Sequence, residues 1–149
     1  MNESNNPTYW VARLTEDAFD VCVDNSLLFA NAGIAAHLKR LRIGDVGVFF
    51  VSKRRLNVKV DKIQEFRKFF HVKSDPYQCG IQVDTLPIEK QPAICVDIEI
   101  EDYELKVAVP PIVHLLSFVK NPIHWGSYFM TPFIEMSKSD FDLISKSKV

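Results

Sequence analysis

Cysteine is scarce in this 149-residue chain: Cys22, Cys79 and Cys95 are the whole complement. The number is odd and no pair has C-x-x-C spacing, which argues against a disulfide framework and against a zinc ribbon. Long apolar runs are missing as well. None approaches the ~18–20 residues needed to cross a bilayer, which excludes a membrane-spanning helix. The opening Met1-Asn-Glu-Ser-Asn-Asn-Pro7 lacks the basic-then-apolar build of a secretory leader. The expectation is a reducing, cytoplasmic home with no membrane partner. Glycine is thin at five residues, and no G-x-G-x-x-G, phosphate-loop, G-x-S-x-G or H-E-x-x-H pattern occurs. His37, His71, His114 and His124 are scattered without ligand spacing, so neither metal nor cofactor is expected. Cys79, before Gly80, is a possible nucleophile, but the local sequence positions no His or Asp to activate it. No residue is assigned a catalytic role, and the chain is read as a non-enzyme.

What is present is an uneven charge. The net charge is −1, yet residues 1–30 carry −4, residues 31–73 carry +8 and residues 74–149 carry −5. A basic block within a neutral chain is the footprint of an anionic partner, nucleic acid above all. An alternative stays open: the block and the acidic run Asp97-Ile-Glu-Ile-Glu-Asp-Tyr-Glu104 face each other as solvated strands. Alternation puts Asp97, Glu99 and Glu101 on one strand face, read as a solvated outer face rather than a cation site.

Tyr9–Leu14 reads as a first strand, and Thr15-Glu-Asp-Ala-Phe as a capped helical turn. Residues 25–31 read as a loop with exposed apolar side chains, and residues 32–42 as a short helix carrying Ile34, Leu38 and Leu41 on one side. Val46–Val51 has no polar alternation and predicts a strand buried on both faces. Leu56–Val60 and Cys79–Val83 are possible strands, while Glu65–His71 fits helix or loop. Ala93–Ile100 and Tyr103–Val109 alternate as strands, Pro110–Val119 suits a short buried helix, and Ser137-Lys-Ser-Asp140 opens a final helix like a capping box. Phe49, Phe50, Phe118, Phe133 and Phe141 are assigned to the core. Strands mixed with short helices, without βαβ regularity, predict an α+β sheet curled toward a barrel. One domain is expected over residues 8–147, with residues 1–7 as a flexible tail.

The segment Phe118-Val-Lys-Asn-Pro-Ile-His-Trp125, followed by Glu135-Met-Ser-Lys-Ser-Asp-Phe-Asp-Leu-Ile144, resembles the C-terminal signature of EVE-domain proteins. Tyr9-Trp10, and Leu38 with Gly44-Asp45, match that family's opening strand and its "Leu-x-x-x-x-x-Gly-Asp" element. Asn31 falls where many members carry an Asn in a pocket-forming loop. The resemblance covers residues 8–51 and 93–146. It implies a PUA-like mixed β pseudo-barrel with short flanking helices, related to YTH and ASCH domains. It also implies a reader of modified bases in DNA or RNA.

Such a reader needs stacking walls, edge-reading polar groups and a basic rim. Trp10, Trp125 and Phe29 are the expected walls, and Asn31 and Ser127 the expected edge readers. Lys39, Arg42, Lys53, Arg54 and Arg55 are expected to track the backbone. Each has a plainer role open to it: packing for Trp10 and Trp125, helix capping for Asn31. The competing function is a small-molecule or protein-interaction domain that keeps the fold without binding nucleic acid. Oligomeric state is not readable from the sequence.

Overall fold

A computed structural model describes residues 6–54 and 62–147. Eight strands form one curled sheet, a half-barrel flanked by short helices. They are β1 (Tyr9–Leu14), β2 (Leu27–Ala30), β3 (Val46–Lys53), β4 (Lys62–Val72), β5 (Tyr77–Gln78), β6 (Ile94–Ile100), β7 (Lys106–Ala108) and β8 (Phe133–Met136). The order is β2-β6-β4-β3-β1-β8, with β5 joining β6 and β7 joining β4. β1 and β3 run parallel and every other pairing is antiparallel. No helix of the described residues is long and apolar enough to cross a membrane.

The sheet buries apolar side chains on both faces, which is why β3 shows no alternation. Trp10, Ala12, Phe49, Val51, Phe70 and Val72 fill the inner face, closed by Phe19 and Cys22 of α1 (Glu16–Asn25) and Leu38 of α2 (Ala35–Leu38). Val11, Val48, Phe50, Phe66, Phe69 and Val107 fill the outer face, under Phe129 of the 3₁₀ segment Pro122–Phe129 and Ile144 of α3 (Lys138–Lys146).

Several elements differ from the sequence expectation. Residues 65–71 belong to strand β4, not a helix or an undecided loop. The register with β3 shifts between Val48 and Phe49, leaving Lys68 bulged at φ 54°. The bulge lets Phe66 and Phe69, three residues apart, share the outer face. Residues 27–30 are strand rather than loop, with Leu27, Leu28 and Ala30 buried against β6. The helix expected at 32–42 is a 3₁₀ turn, Ala32–Ile34, plus the single turn of α2. A 3₁₀ turn, Val113–Leu115, stands where a longer helix was expected. Leu56–Val60 lies outside the described residues.

Two buried carboxylates tie segments together. Asp45, after Gly44 at φ 96°, accepts from Trp10 Nε1 (2.9 Å), Thr8 N (3.0 Å) and Arg42 N (2.9 Å). Asp140 accepts from Ser117 N (2.8 Å) and Ser117 Oγ (2.7 Å), while Ser137 Oγ caps α3 by accepting from Asp140 N (3.1 Å). The capping box is thus half made. Its acidic member reaches across the fold instead of back to the cap.

Cys79 and Cys95 are joined in a disulfide, against the expectation from their spacing. The spacing was uninformative because the β5–β6 pairing, Tyr77 opposite Cys95, is what brings the two together. Cys79 is therefore not a free nucleophile, and Cys79–Val83 is not a strand.

Candidate ligand-binding cleft

Parallel strands β1 and β3 end side by side, and their carboxyl ends open into a cleft of about 330 Å³, within the range of small-ligand sites. Leu14 leads into Thr15 and α1, so the α1 side of the cleft presents Ala18 and Cys22. β2 contributes Leu28 and Phe29 and runs into Asn31; β3 ends in Ser52 and Lys53. Leu86 and Lys90 close one side, from the stretch between β5 and β6. Met130, Pro132 and Phe133 close another.

The polar side chains on this wall are mostly committed or cationic. Asn31 Oδ1 accepts from Gly33 N at 2.8 Å, which caps the following 3₁₀ turn and leaves the Nδ2 amide to donate. Ser52 Oγ donates to the Leu14 carbonyl at 3.2 Å, and the Thr15 hydroxyl donates to Asp17. Arg13, Lys53 and Lys90 bring three cations, and no carboxylate is among the lining residues. Burial draws the Arg13 pKa below its ordinary value, and its Nε is enclosed without a hydrogen-bond partner. Cys22 is a different case. Burial pushes its thiol pKa well up, so it is no thiolate nucleophile.

Of the residues expected from sequence, Phe29, Asn31 and Lys53 line the cleft. Trp10 does not: it is 2% exposed in the inner core, its indole N–H spent on Asp45, with the Arg40 guanidinium 4.9 Å from its ring centroid. Its role is packing, as a buried strand position with a satisfied N–H requires. Trp125 packs edge-on against Phe50 (6.4 Å) and Phe129 (5.6 Å) on the outer face, away from the cleft wall. Ser127 is exposed, and its hydroxyl donates to the His124 carbonyl at 2.9 Å. Lys39 and Arg42 are exposed outside the cleft, and Arg42 adjoins the opposite end of β3. Arg54 pairs with Glu16 at 3.5 Å, and Arg55 lies outside the described residues. Sequence reasoning missed Arg13, Leu86 and Lys90. Only Arg13 left a signal, as the one basic residue in the first thirty.

Part of the basic block is paired. Lys73 reaches Glu99 (3.4 Å), Lys68 reaches Glu104 (3.3 Å) and His71 Nε2 meets Glu101 (2.7 Å), so basic and acidic strands do face each other in part. Arg67 binds Glu16 (2.8 Å) and Glu65 (2.9 Å). Burial opposes its charge, but these two bonds outweigh it and hold its pKa above the ordinary value. Among the described residues no cluster of His, Cys, Asp and Glu is arranged to hold a metal.

No family model and no curated protein matches the chain. Solved structures do. The YTH domain-containing protein mmi1 in a complex with RNA superposes with a TM-score of 0.59 at 10% identity, over 95% of this chain and 81% of that one. This chain has a YTH-like fold. A protein from Rhodopseudomonas palustris solved by NMR gives 0.59 at 12% identity, covering 95% and 92%. A Pseudomonas syringae protein gives 0.59 at 14%, covering 93% and 97%. At these identities the likeness concerns the fold alone, and within the YTH-like fold the cleft is defined by this chain's own side chains.

Proposed function

We propose that this YTH-like chain is a non-catalytic nucleic-acid-binding module that receives a flipped-out, modified base in the cleft at the ends of β1 and β3. The observation that carries the reading is the cleft wall itself: apolar surface from Leu28, Phe29 and Phe133, three cations and no carboxylate. Flipping a base costs a few kcal/mol. Stacking on an aromatic such as Phe29 returns about 1–3 kcal/mol. Arg13, Lys53 and Lys90 then supply phosphate attraction, and the Asn31 amide donates to an acceptor on the base edge. The RNA in the mmi1 complex and the resemblance to EVE domains support the same reading.

The paired state of Arg67, Lys68 and Lys73 favours a second reading, a free nucleoside-sized ligand held in the cleft without a nucleic-acid chain. A binding panel at two salt concentrations separates the two. It compares oligonucleotides carrying plain bases, N6-methyladenine, 5-methylcytosine and 5-hydroxymethylcytosine, in DNA and RNA, with the matching nucleosides. The module reading expects affinity to fall with salt at a log–log slope of about −2 for single strands, three cations each neutralising a phosphate. Phe29→Ala should abolish the preference for the modified base. Asn31→Asp keeps the cap, since Asp caps as well as Asn, but loses the amide donor and should weaken binding at least tenfold. Oligonucleotides that do not bind at low salt refute the module, and nucleoside binding alone establishes the second reading.

A further inference from the structure

Residues 79–93 have little regular structure beyond one 3₁₀ turn, Ile88–Lys90, yet they bring Leu86 and Lys90 to the cleft wall. The shape of this strap comes from Gln91. Its Oε1 accepts from Val83 N (2.8 Å), and its Nε2 donates to the carbonyls of Val83 (2.7 Å) and Leu86 (2.8 Å). These bonds fold the strap on itself without fastening it to the sheet. The fastenings are the buried Val83, the exposed Thr85 hydroxyl on Asp17 in the first turn of α1, and the Cys79–Cys95 bond at its base. Main-chain bonds from Cys79 N to Ala93 O (3.0 Å) and Ala93 N to Ala30 O (2.9 Å) accompany that bond. Cys95 lies on β6 directly across from Phe29 of β2, so the covalent anchor stands beside the aromatic wall of the cleft. An exposed hydroxyl exchanges its partner for water at little cost, which leaves the disulfide as the fastening that chemistry can remove.

We infer that the Cys79–Cys95 bond is a redox latch on the cleft: intact, it holds Leu86 and Lys90 against the ligand, and its reduction frees the strap and opens the site. The latch rests on the reading of the cleft as the binding site and concerns its regulation. Cys79 is half-buried while Cys95 is 1% exposed, so the incoming thiolate of a soluble dithiol attacks Cys79 Sγ. A mixed disulfide forms there, and Cys95 leaves as a thiolate that takes a proton. The second thiol of the reductant, giving up its proton, attacks its own partner sulfur and expels Cys79 as a thiolate, which is protonated in turn. Two electrons pass from the dithiol to the protein, and the dithiol departs as a cyclic disulfide. Opening of this sort is a local event, below the free energy of global unfolding.

Cys22 gives a readout that needs no ligand. Its thiol lines the cleft, is 2% exposed, and is the free cysteine of the oxidised chain and the sole cysteine of a Cys79→Ser, Cys95→Ser double variant. N-ethylmaleimide should label Cys22 at least tenfold faster in the double variant than in the oxidised wild type. Amide exchange should accelerate over residues 80–92 while Val48 and Phe49 in β3 keep their protection. Equal labelling overturns the latch, and so does acceleration matched by lost protection at Val48 and Phe49, which marks global opening. If the double variant does not fold, wild type treated with dithiothreitol, with Cys22 labelling followed by peptide mass spectrometry, decides the same question. The tightest-binding oligonucleotide of the panel should bind at least fivefold more weakly to the reduced wild type, and equal affinity in both states overturns the latch. Should no oligonucleotide bind in either state, the module reading falls while Cys22 labelling still decides the latch.

Discussion

Replacing Asp45 by alanine isolates what holds the amino ends of β1 and β3 together. The carboxylate is 6% exposed and accepts three hydrogen bonds, from Trp10 Nε1, Thr8 N and Arg42 N. The three donors are not equivalent. The indole N–H lies in the inner core, where water does not follow, and stranding it costs about 1–3 kcal/mol. The two backbone N–H groups are half-buried and rehydrate, so each loses about 0.5–1.5 kcal/mol. The sum is about 4 kcal/mol, a large share of the 5–15 kcal/mol that holds a domain folded. At roughly 3 °C per kcal/mol for a chain of this size, the midpoint should fall by about 12 °C. Urea unfolding followed by far-ultraviolet circular dichroism measures it without interference from Trp125. The cleft is at the other ends of the same strands, about 20 Å along β1, so ligand specificity should survive in the folded fraction. Asp45→Asn keeps one acceptor and should fall between wild type and alanine. A loss below about 1 kcal/mol for Asp45→Ala would show that the indole finds another partner, and the account of this turn would be wrong.

Gly47→Ala should cost about 1–3 kcal/mol by overpacking, because an added Cβ would meet the ring of the fully buried Phe70 at 2.2 Å. Chemical denaturation reads the loss. Cys79→Ser, compared under non-reducing conditions, should lose about 3 kcal/mol, the chain entropy of opening a loop across a separation of 16 residues. Added dithiothreitol should erase the difference. At Asp20 the sign runs the other way. Burial, then Glu16 and Asp24, raises its pKa, so the folded state favours the protonated form. Its stability contribution is complete below the ordinary carboxylate value and is lost as pH rises through the raised one. Asp20→Asn should therefore stabilise at pH 7 by a few tenths of a kcal/mol, small because the residue is exposed. The gain should vanish near pH 3 in paired thermal melts.

The elements that could be read from sequence are those whose side-chain period is undisturbed. β3 is apolar from Val46 to Val51 because both its faces are covered there, and β6 alternates because one of its faces is wet. β4 could not be read in this way. Its bulge at Lys68 converts a strand face into an i, i+3 pair, Phe66 and Phe69, which imitates a helix. Leu27–Ala30 looked like a loop because four apolar residues carry no period, and only pairing with β6 makes them a strand. The disulfide escaped because its 5.2 Å Cα separation is a product of sheet register, not of spacing along the chain. At the site, Asn31 was legible through the family resemblance, which follows local motifs, and Phe29 as an apolar side chain in the segment before it. Leu86 and Lys90 come from a stretch with no motif and no period, so nothing local could place them.

Charge summed along a segment averages over faces that point to different places, and the cleft makes the error visible. Its three cations come one from each segment: Arg13 from the first thirty residues at −4, Lys53 from the +8 block, Lys90 from the last segment at −5. Four members of the block that first indicated an anionic partner, Arg54, Arg67, Lys68 and Lys73, are spent elsewhere, on Glu16, Glu65, Glu99 and Glu104. Arg42 tests the distinction. Its backbone N–H binds Asp45 at the start of β3, whereas Lys53 stands at the far end on the cleft wall, about 25 Å along an extended strand. That is more than two Debye lengths at physiological salt, so the two side chains act on a bound ligand independently. Lys53→Gln should weaken oligonucleotide binding severalfold and make the salt slope shallower by about 0.7 for single strands, while Arg42→Gln should leave both within error. Equal losses for the two variants, in titrations at 50 and 200 mM salt, would move the binding surface from the cleft to the basic block as a whole.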